Sequence, residues 1–213
     1  MTLALAALAG AAALWFWAAH AGRGPTGTAS VVKTASTGAL ALAGWAAGAP
    51  GWIVAGLVLG AAGDFALSRP GTRWFLAGMA AFAAGHLAYV AAFLALGAEM
   101  PGPVGWGLLL VVAGLVLSTE VWLAPHTAAL RGPVRGYALV IGAMAAAVLL
   151  VPPGPGHDLM RAGAALFLAS DVVLALRLFR LRDGRAQLLA SRALWPMYWG
   201  GQALILWGAV VAG

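Results

Sequence analysis

The stretch "LVLGAAGDFALSRPG", residues 57–71, sets one full negative charge, Asp64, inside a run otherwise composed for hydrocarbon. A carboxylate at that depth is expensive, so two things need settling: whether the run crosses a membrane, and what Asp64 does there. Composition speaks to the first. Hydrophobic residues make up 63% of the chain and charged residues 8%, against roughly a quarter charged in soluble domains. The mean hydropathy is +0.94. Runs long enough to cross a hydrocarbon core of ~30 Å recur outward from this stretch, at 3–19, 28–47, 51–67, 73–96, 103–122, 133–151, 158–178 and 194–211.

These runs are too long and too continuous for strands of a membrane barrel, which alternate apolar and polar residues over roughly ten positions. The expected fold is therefore all-α: a polytopic integral membrane protein, one bundle of about eight transmembrane helices forming a single domain over 1–213. The connections, such as "GAPG", "SRPGT" and "VPPGPGH", are short and marked by Gly and Pro. The first run ends in the small-residue segment "WAAHAG", but no Lys or Arg precedes its core as a secretory leader requires, so it reads as a span. No internal repeat is evident. With no cysteine, disulfides, thiolate metal sites and a cysteine nucleophile are excluded.

Orientation follows from the arginines. Arg23, Arg69, Arg73, Arg131, Arg135, Arg177, Arg180, Arg182, Arg185 and Arg192 all fall in or beside odd-numbered connections, whereas the sixth connection has only Arg161 nearby. The positive-inside rule places the odd connections in the cytoplasm and both termini outside, in an inner or plasma membrane. The same arginines account for the basic charge balance through anionic headgroups. No basic stripe with interleaved aromatics remains for nucleic acid. Most of the tryptophans fall near span ends, as an interfacial belt does.

At ~1.5 Å per helical residue, the polar residues within the spans gather in the cytoplasmic half: Lys33, Asp64, His86, Glu120, Asp171, Tyr198 and Gln202. Asp64 shares a face with Gly60 and Gly56, a small-residue face where helices approach closely. Lys33 lines up with Ser30, Thr34 and Thr37, and His86 with Phe82, Tyr89 and Phe93. Tyr198 and Gln202, four apart, share a face. A polar-floored cavity open to the cytoplasm satisfies all of these groups. Glu120, within a turn of its span end, reads as interfacial or salt-bridging, and His20, His126 and His157 lie at span ends or in loops. Asp64 and Asp171 read as functional, because Lys33 is the one cation at their depth and cannot neutralise both.

On these residues the chain resembles a known family. "GAAGDFALSRPGTRWFLAGMAAFAAGHLAYVAAFL", "GAALFLASDVVLALRLF" and "LWPMYWGGQALILWG" are similar, in order and register, to motifs of the YhhN-like lysoplasmalogenase family. One departure is visible: the family tends to follow its span-two lysine with proline, and here Thr34 follows Lys33. The resemblance implies an enzyme that hydrolyses the vinyl ether bond of lysoplasmalogens, releasing a fatty aldehyde and glycerophosphocholine or glycerophosphoethanolamine, without cofactor or metal. Its partners are then a lysolipid substrate and the bilayer.

Two carboxyl groups suit that reaction, one protonated to deliver a proton to carbon and one ionised to stabilise the cation and activate water, as in glycosidases. Asp64 and Asp171 are the candidates, in either order. His86 would orient one of them or shuttle protons. Tyr89, Tyr198 and Gln202 would contact substrate or water, and Lys33 would meet the phosphate. Two alternatives use the same residues: a proton-coupled lipid or small-molecule transporter, and a metal-dependent hydrolase with Asp64, His86 and Asp171 as three zinc ligands.

Overall fold

A computed structural model describes residues 2–213 and is all-helical. Eight α-helices follow one another: α1 (Thr2–Ala19), α2 (Gly27–Ala46), α3 (Gly51–Leu67), α4 (Thr72–Ala95), α5 (Pro103–Trp122), α6 (Arg131–Leu149), α7 (His157–Phe179) and α8 (Gly184–Ala212). Two short 3-10 turns, Ala124–His126 and Ala128–Leu130, link α5 to α6. Seven helices fall within a few residues of the apolar runs. The eighth differs, starting at Gly184 rather than near position 194. Its first turns, "GRAQLLASRA", are too polar to register as an apolar run, yet Asp183 caps them by accepting from Ala186 N at 2.7 Å, as an N-cap carboxylate does.

Among the described residues, five segments are long and apolar enough to cross a membrane by length and composition: Thr2–Ala19, Thr72–Ala95, Pro103–His126, Ala128–Leu149 and His157–Phe179. Helix α3 is apolar but shorter. Helices α2 and α8 miss that mark because they carry polar residues inward, among them Lys33, Ser36, Thr37, Tyr198 and Gln202.

Neighbouring helices pair through glycine. Between α7 and α8, a Cβ on Gly163 would stand 2.6 Å from the Gly201 carbonyl oxygen, and one on Gly201 would stand 2.8 Å from that of Gly163. The two backbones therefore touch, which only small residues permit. Between α3 and α4, a Cβ on Gly63 would meet the Phe82 ring at 2.6 Å. Helix α8 also packs on α1, α2 and α3, closing the bundle. Pro196 lies inside α8 and leaves the Arg192 carbonyl without its helical donor. The Trp17 indole of α1 donates to that carbonyl at 2.9 Å, and Trp195 donates to the Ala13 carbonyl at 2.9 Å. Helix α5 buries no residue and packs on α6 at the periphery.

Seven of the ten tryptophans are exposed, as a lipid-headgroup belt requires. Trp122 and Trp199 are half-buried, and Trp195 is 2% exposed in the core.

Candidate active site

The sequence-derived residues come together in two hydrogen-bonded clusters rather than one. The first centres on Asp64 of α3, which is wholly buried. Its Oδ2 accepts from Thr37 Oγ1 at 2.8 Å and from Tyr198 Oη at 2.9 Å. Its Oδ1 lies 2.9 Å from Lys33 Nζ and has no other partner among the described residues. The glycine face anticipated beside Asp64 makes this possible. A Cβ on Gly60 would lie 2.6 Å from Gln202 Nε2 and 3.3 Å from Tyr198 Oη, so only glycine leaves room for the α8 side chains. Gln202 Nε2 donates to Tyr198 Oη at 3.1 Å, and Tyr89, seated against Gly56, donates its hydroxyl to Gln202 Oε1. Lys33 also lies over the Trp195 ring, 5.8 Å from its centroid, where the π face favours a cation.

A chain of buried donors and acceptors thus runs from Tyr89 through Gln202 and Tyr198 to Asp64, and the ammonium of Lys33 balances its one negative charge. Both carboxylate oxygens of Asp64 are thus held, Oδ2 by two hydroxyls and Oδ1 by the ammonium.

The second cluster centres on Asp171 of α7, whose side chain is 13% exposed. Tyr137 of α6 donates to its Oδ2 at 2.6 Å. His86 of α4 places Nε2 at 3.0 Å from the same hydroxyl and 3.5 Å from Oδ2. A phenol has one proton, so while Tyr137 donates to Asp171 it accepts from His86, and Nε2 carries hydrogen. His86 Nδ1 is buried without a partner, which fits that tautomer, since a bare ring nitrogen leaves no N–H unpaired. Asp171 Oδ1 has no protein partner among the described residues, and its side chain lines an apolar groove walled by α4, α5, α6 and α7 and closed at one edge by Leu67 of α3.

Among the described residues, no ion pair or hydrogen bond joins the two clusters. Phe167 touches both, its ring centroid 4.7 Å from that of His86 and 5.2 Å from that of Tyr198. Phe82 adds an edge against Phe167 and Tyr198. The three zinc ligands of the metal alternative are not gathered: among the described residues no three His, Cys, Asp or Glu side chains converge. Glu120 stands apart, half-exposed and ion-paired with Arg135, as its position near a span end implied. Tyr137 is the residue that reading the sequence missed. The signal was present in the composition, since the chain has only three tyrosines and all three lie in these clusters.

Similarity to known proteins bears on the same residues. The family model of the YhhN family matches residues 28–209, a span that holds every member of both clusters. Two curated proteins named "Lysoplasmalogenase", from Mycobacterium bovis (strain ATCC BAA-935 / AF2122/97) and Mycobacterium tuberculosis (strain CDC 1551 / Oshkosh), are each 33% identical over 162 residues. The aligned part covers 74% of this chain and 59% of theirs. No solved structure matches. With the match running from the start of α2 nearly to the end of α8 and enclosing both buried clusters, the chain belongs to the YhhN family.

Proposed function

We propose that the chain is a membrane-embedded hydrolase that cleaves the vinyl ether bond of a lysoplasmalogen, with Asp171 as the proton donor. In this reading all eight helices span the bilayer as one domain, the odd-numbered connections face the cytoplasm, and both clusters lie in the cytoplasmic half. The observation that carries the reaction is the Asp171–Tyr137–His86 chain, which leaves one carboxyl oxygen unpaired toward an apolar groove. The names of the mycobacterial relatives support the substrate class.

The alkenyl chain lies in the groove, with its double bond beside Asp171 Oδ1. A proton on Oδ1 passes to the ether's second chain carbon, and the adjoining carbon becomes an oxocarbenium ion bonded to the glycerol oxygen. Tyr137 holds the carboxylate formed, through Oδ2. Water adds to the cationic carbon and yields its proton to the Asp171 carboxylate, restoring the acid. The hemiacetal then breaks at the carbon–glycerol oxygen bond into aldehyde and alcohol. One carboxyl thus serves as acid and then base, as the acid of a retaining glycosidase does.

Asp64 does not need to titrate in this scheme. Its contacts hold Lys33, Thr37 and Tyr198 in place. The two-carboxylate mechanism expected from sequence gives way here to a division of labour, with catalysis at Asp171 and positioning at Asp64.

The test is a product assay. Purified protein is incubated with vinyl ether, alkyl ether and acyl lysolipids of equal chain length. Aldehyde is expected from the vinyl ether alone, with the alkyl ether recovered intact. Fatty acid from the acyl lipid as the main product would contradict the reading. So would movement of intact lipid across vesicles without cleavage, which is the transporter's signature.

A further inference from the structure

Beside the groove lies a second cavity, of about 200 Å³ and different chemistry. Groove and cavity share Leu67, Phe75, Leu174 and Leu178, so they adjoin across these four side chains. The cavity is lined by Lys33, Arg23, Arg177 and His20, with no carboxylate among its lining residues.

Arg177 is unlike the other arginines of the chain. Eight of the eleven are exposed to solvent or headgroups. Of the three that are not, Arg161 pairs with Asp158 at 2.6 Å and Arg69 lies over the Phe65 ring at 4.2 Å. Arg177 has neither kind of partner: its Nε is buried without a hydrogen bond, and among the described residues no carboxylate meets its guanidinium. His20 Nε2, in the same cavity, is also buried and unpartnered. Lys33 is already committed to Asp64. A half-buried guanidinium without a counter-ion is costly, and the group whose geometry it matches best is a phosphate or carboxylate held through two N–H donors.

We infer that Arg177, assisted by Arg23 and His20, forms an anion subsite that receives the phosphate of the lipid headgroup while the chain occupies the groove. This deepens the proposed function and rests on its lipid substrate. The shared boundary at Leu67, Phe75, Leu174 and Leu178 then lies near the junction of glycerol and chain, where the scissile bond is. It also moves phosphate recognition from Lys33, where the sequence suggested it, to Arg177.

The test uses lipids that cannot be cleaved, so it is independent of catalysis. Binding of an alkyl ether lysophosphocholine and of the matching alkylglycerol, which lacks phosphate, is measured on the full chain in detergent. The phosphorylated lipid is expected to bind ten- to a hundred-fold tighter, on the order of one charged hydrogen-bonded contact. Arg177→Gln should remove most of that gap and leave alkylglycerol affinity unchanged. Arg177→Lys should keep part of it, since the charge remains and the fork does not.

Equal binding of the two lipids by the unaltered protein would overturn the subsite, whatever the variants do. A folded Arg177→Gln protein that keeps the full gap would do the same. Inorganic phosphate, added as competitor, should fail to displace the lysophosphocholine. Displacement down to the alkylglycerol level would assign the site to free phosphate and overturn the headgroup assignment. Were these lipids to bind as expected while no aldehyde formed from vinyl ether, the reaction would be wrong and the subsite would stand.

Discussion

Asp171→Asn is expected to lower vinyl ether turnover by about 10²- to 10⁴-fold, the usual worth of a positioned general acid, while the protein keeps its thermal stability. The two halves of this expectation come from different parts of the geometry. An amide carries no proton that it can give to carbon, so the chemical step fails. Yet its carbonyl oxygen still accepts from Tyr137, and the partly exposed side chain leaves no buried charge behind. Lipid affinity should also hold, because the groove is otherwise apolar. Tyr137→Phe should fall between the two proteins, since it removes the hydrogen bond that stabilises the departing carboxylate but not the proton itself. Turnover is read from aldehyde release and folding from a melting curve in the same detergent. An Asp171→Asn protein that melts normally and retains near-normal turnover would remove Asp171 from the mechanism.

Lys33→Met should act the opposite way, chiefly on stability. It leaves the fully buried carboxylate of Asp64 with two hydroxyl donors and no cation. Breaking one side of a buried ion pair costs about 3–5 kcal/mol. Asp64→Asn should cost less, because the stranded ammonium is 19% exposed and can keep contact with water. The double variant Lys33→Met with Asp64→Leu should recover much of the lost stability, as paired apolar replacements of buried ion pairs often do. Thermal unfolding of the three variants gives the ordering directly. A Lys33→Met protein as stable as the unaltered one would show that Lys33 is not the counter-ion of Asp64.

Much of this arrangement was legible in the residues themselves. Helical spacing alone placed Gly56, Gly60 and Asp64 on one face, and the structure uses the space that glycine leaves there, Tyr198 and Gln202 of α8 at Gly60 and Tyr89 of α4 at Gly56. The same spacing put Thr37 with Lys33, and both reach Asp64. Periodicity reports only which residues share a face of their own helix. It does not say which neighbour that face meets, and so the separation of Asp64 and Asp171 into two clusters was not readable. That division depends on α6 supplying Tyr137 to Asp171 and on α8 supplying Tyr198 to Asp64. Tyr137 escaped notice because "RGYALVIG" holds no charge deep in the span and offers no visible partner. The early start of α8 escaped because hydropathy finds lipid-facing runs, whereas its first turns are polar and capped by Asp183.

In the proposed reaction a proton is delivered to carbon and water enters on the chain side of the ether oxygen. One mass-spectrometric measurement of turnover in deuterium oxide enriched in oxygen-18 tests it directly, with the aldehyde trapped as it forms. One deuterium is expected on the carbon next to the aldehyde group and no oxygen-18 in the glycerol product, whose hydroxyl oxygens do not exchange with water. Oxygen-18 in the glycerol product, or an aldehyde without deuterium at that carbon, would contradict it.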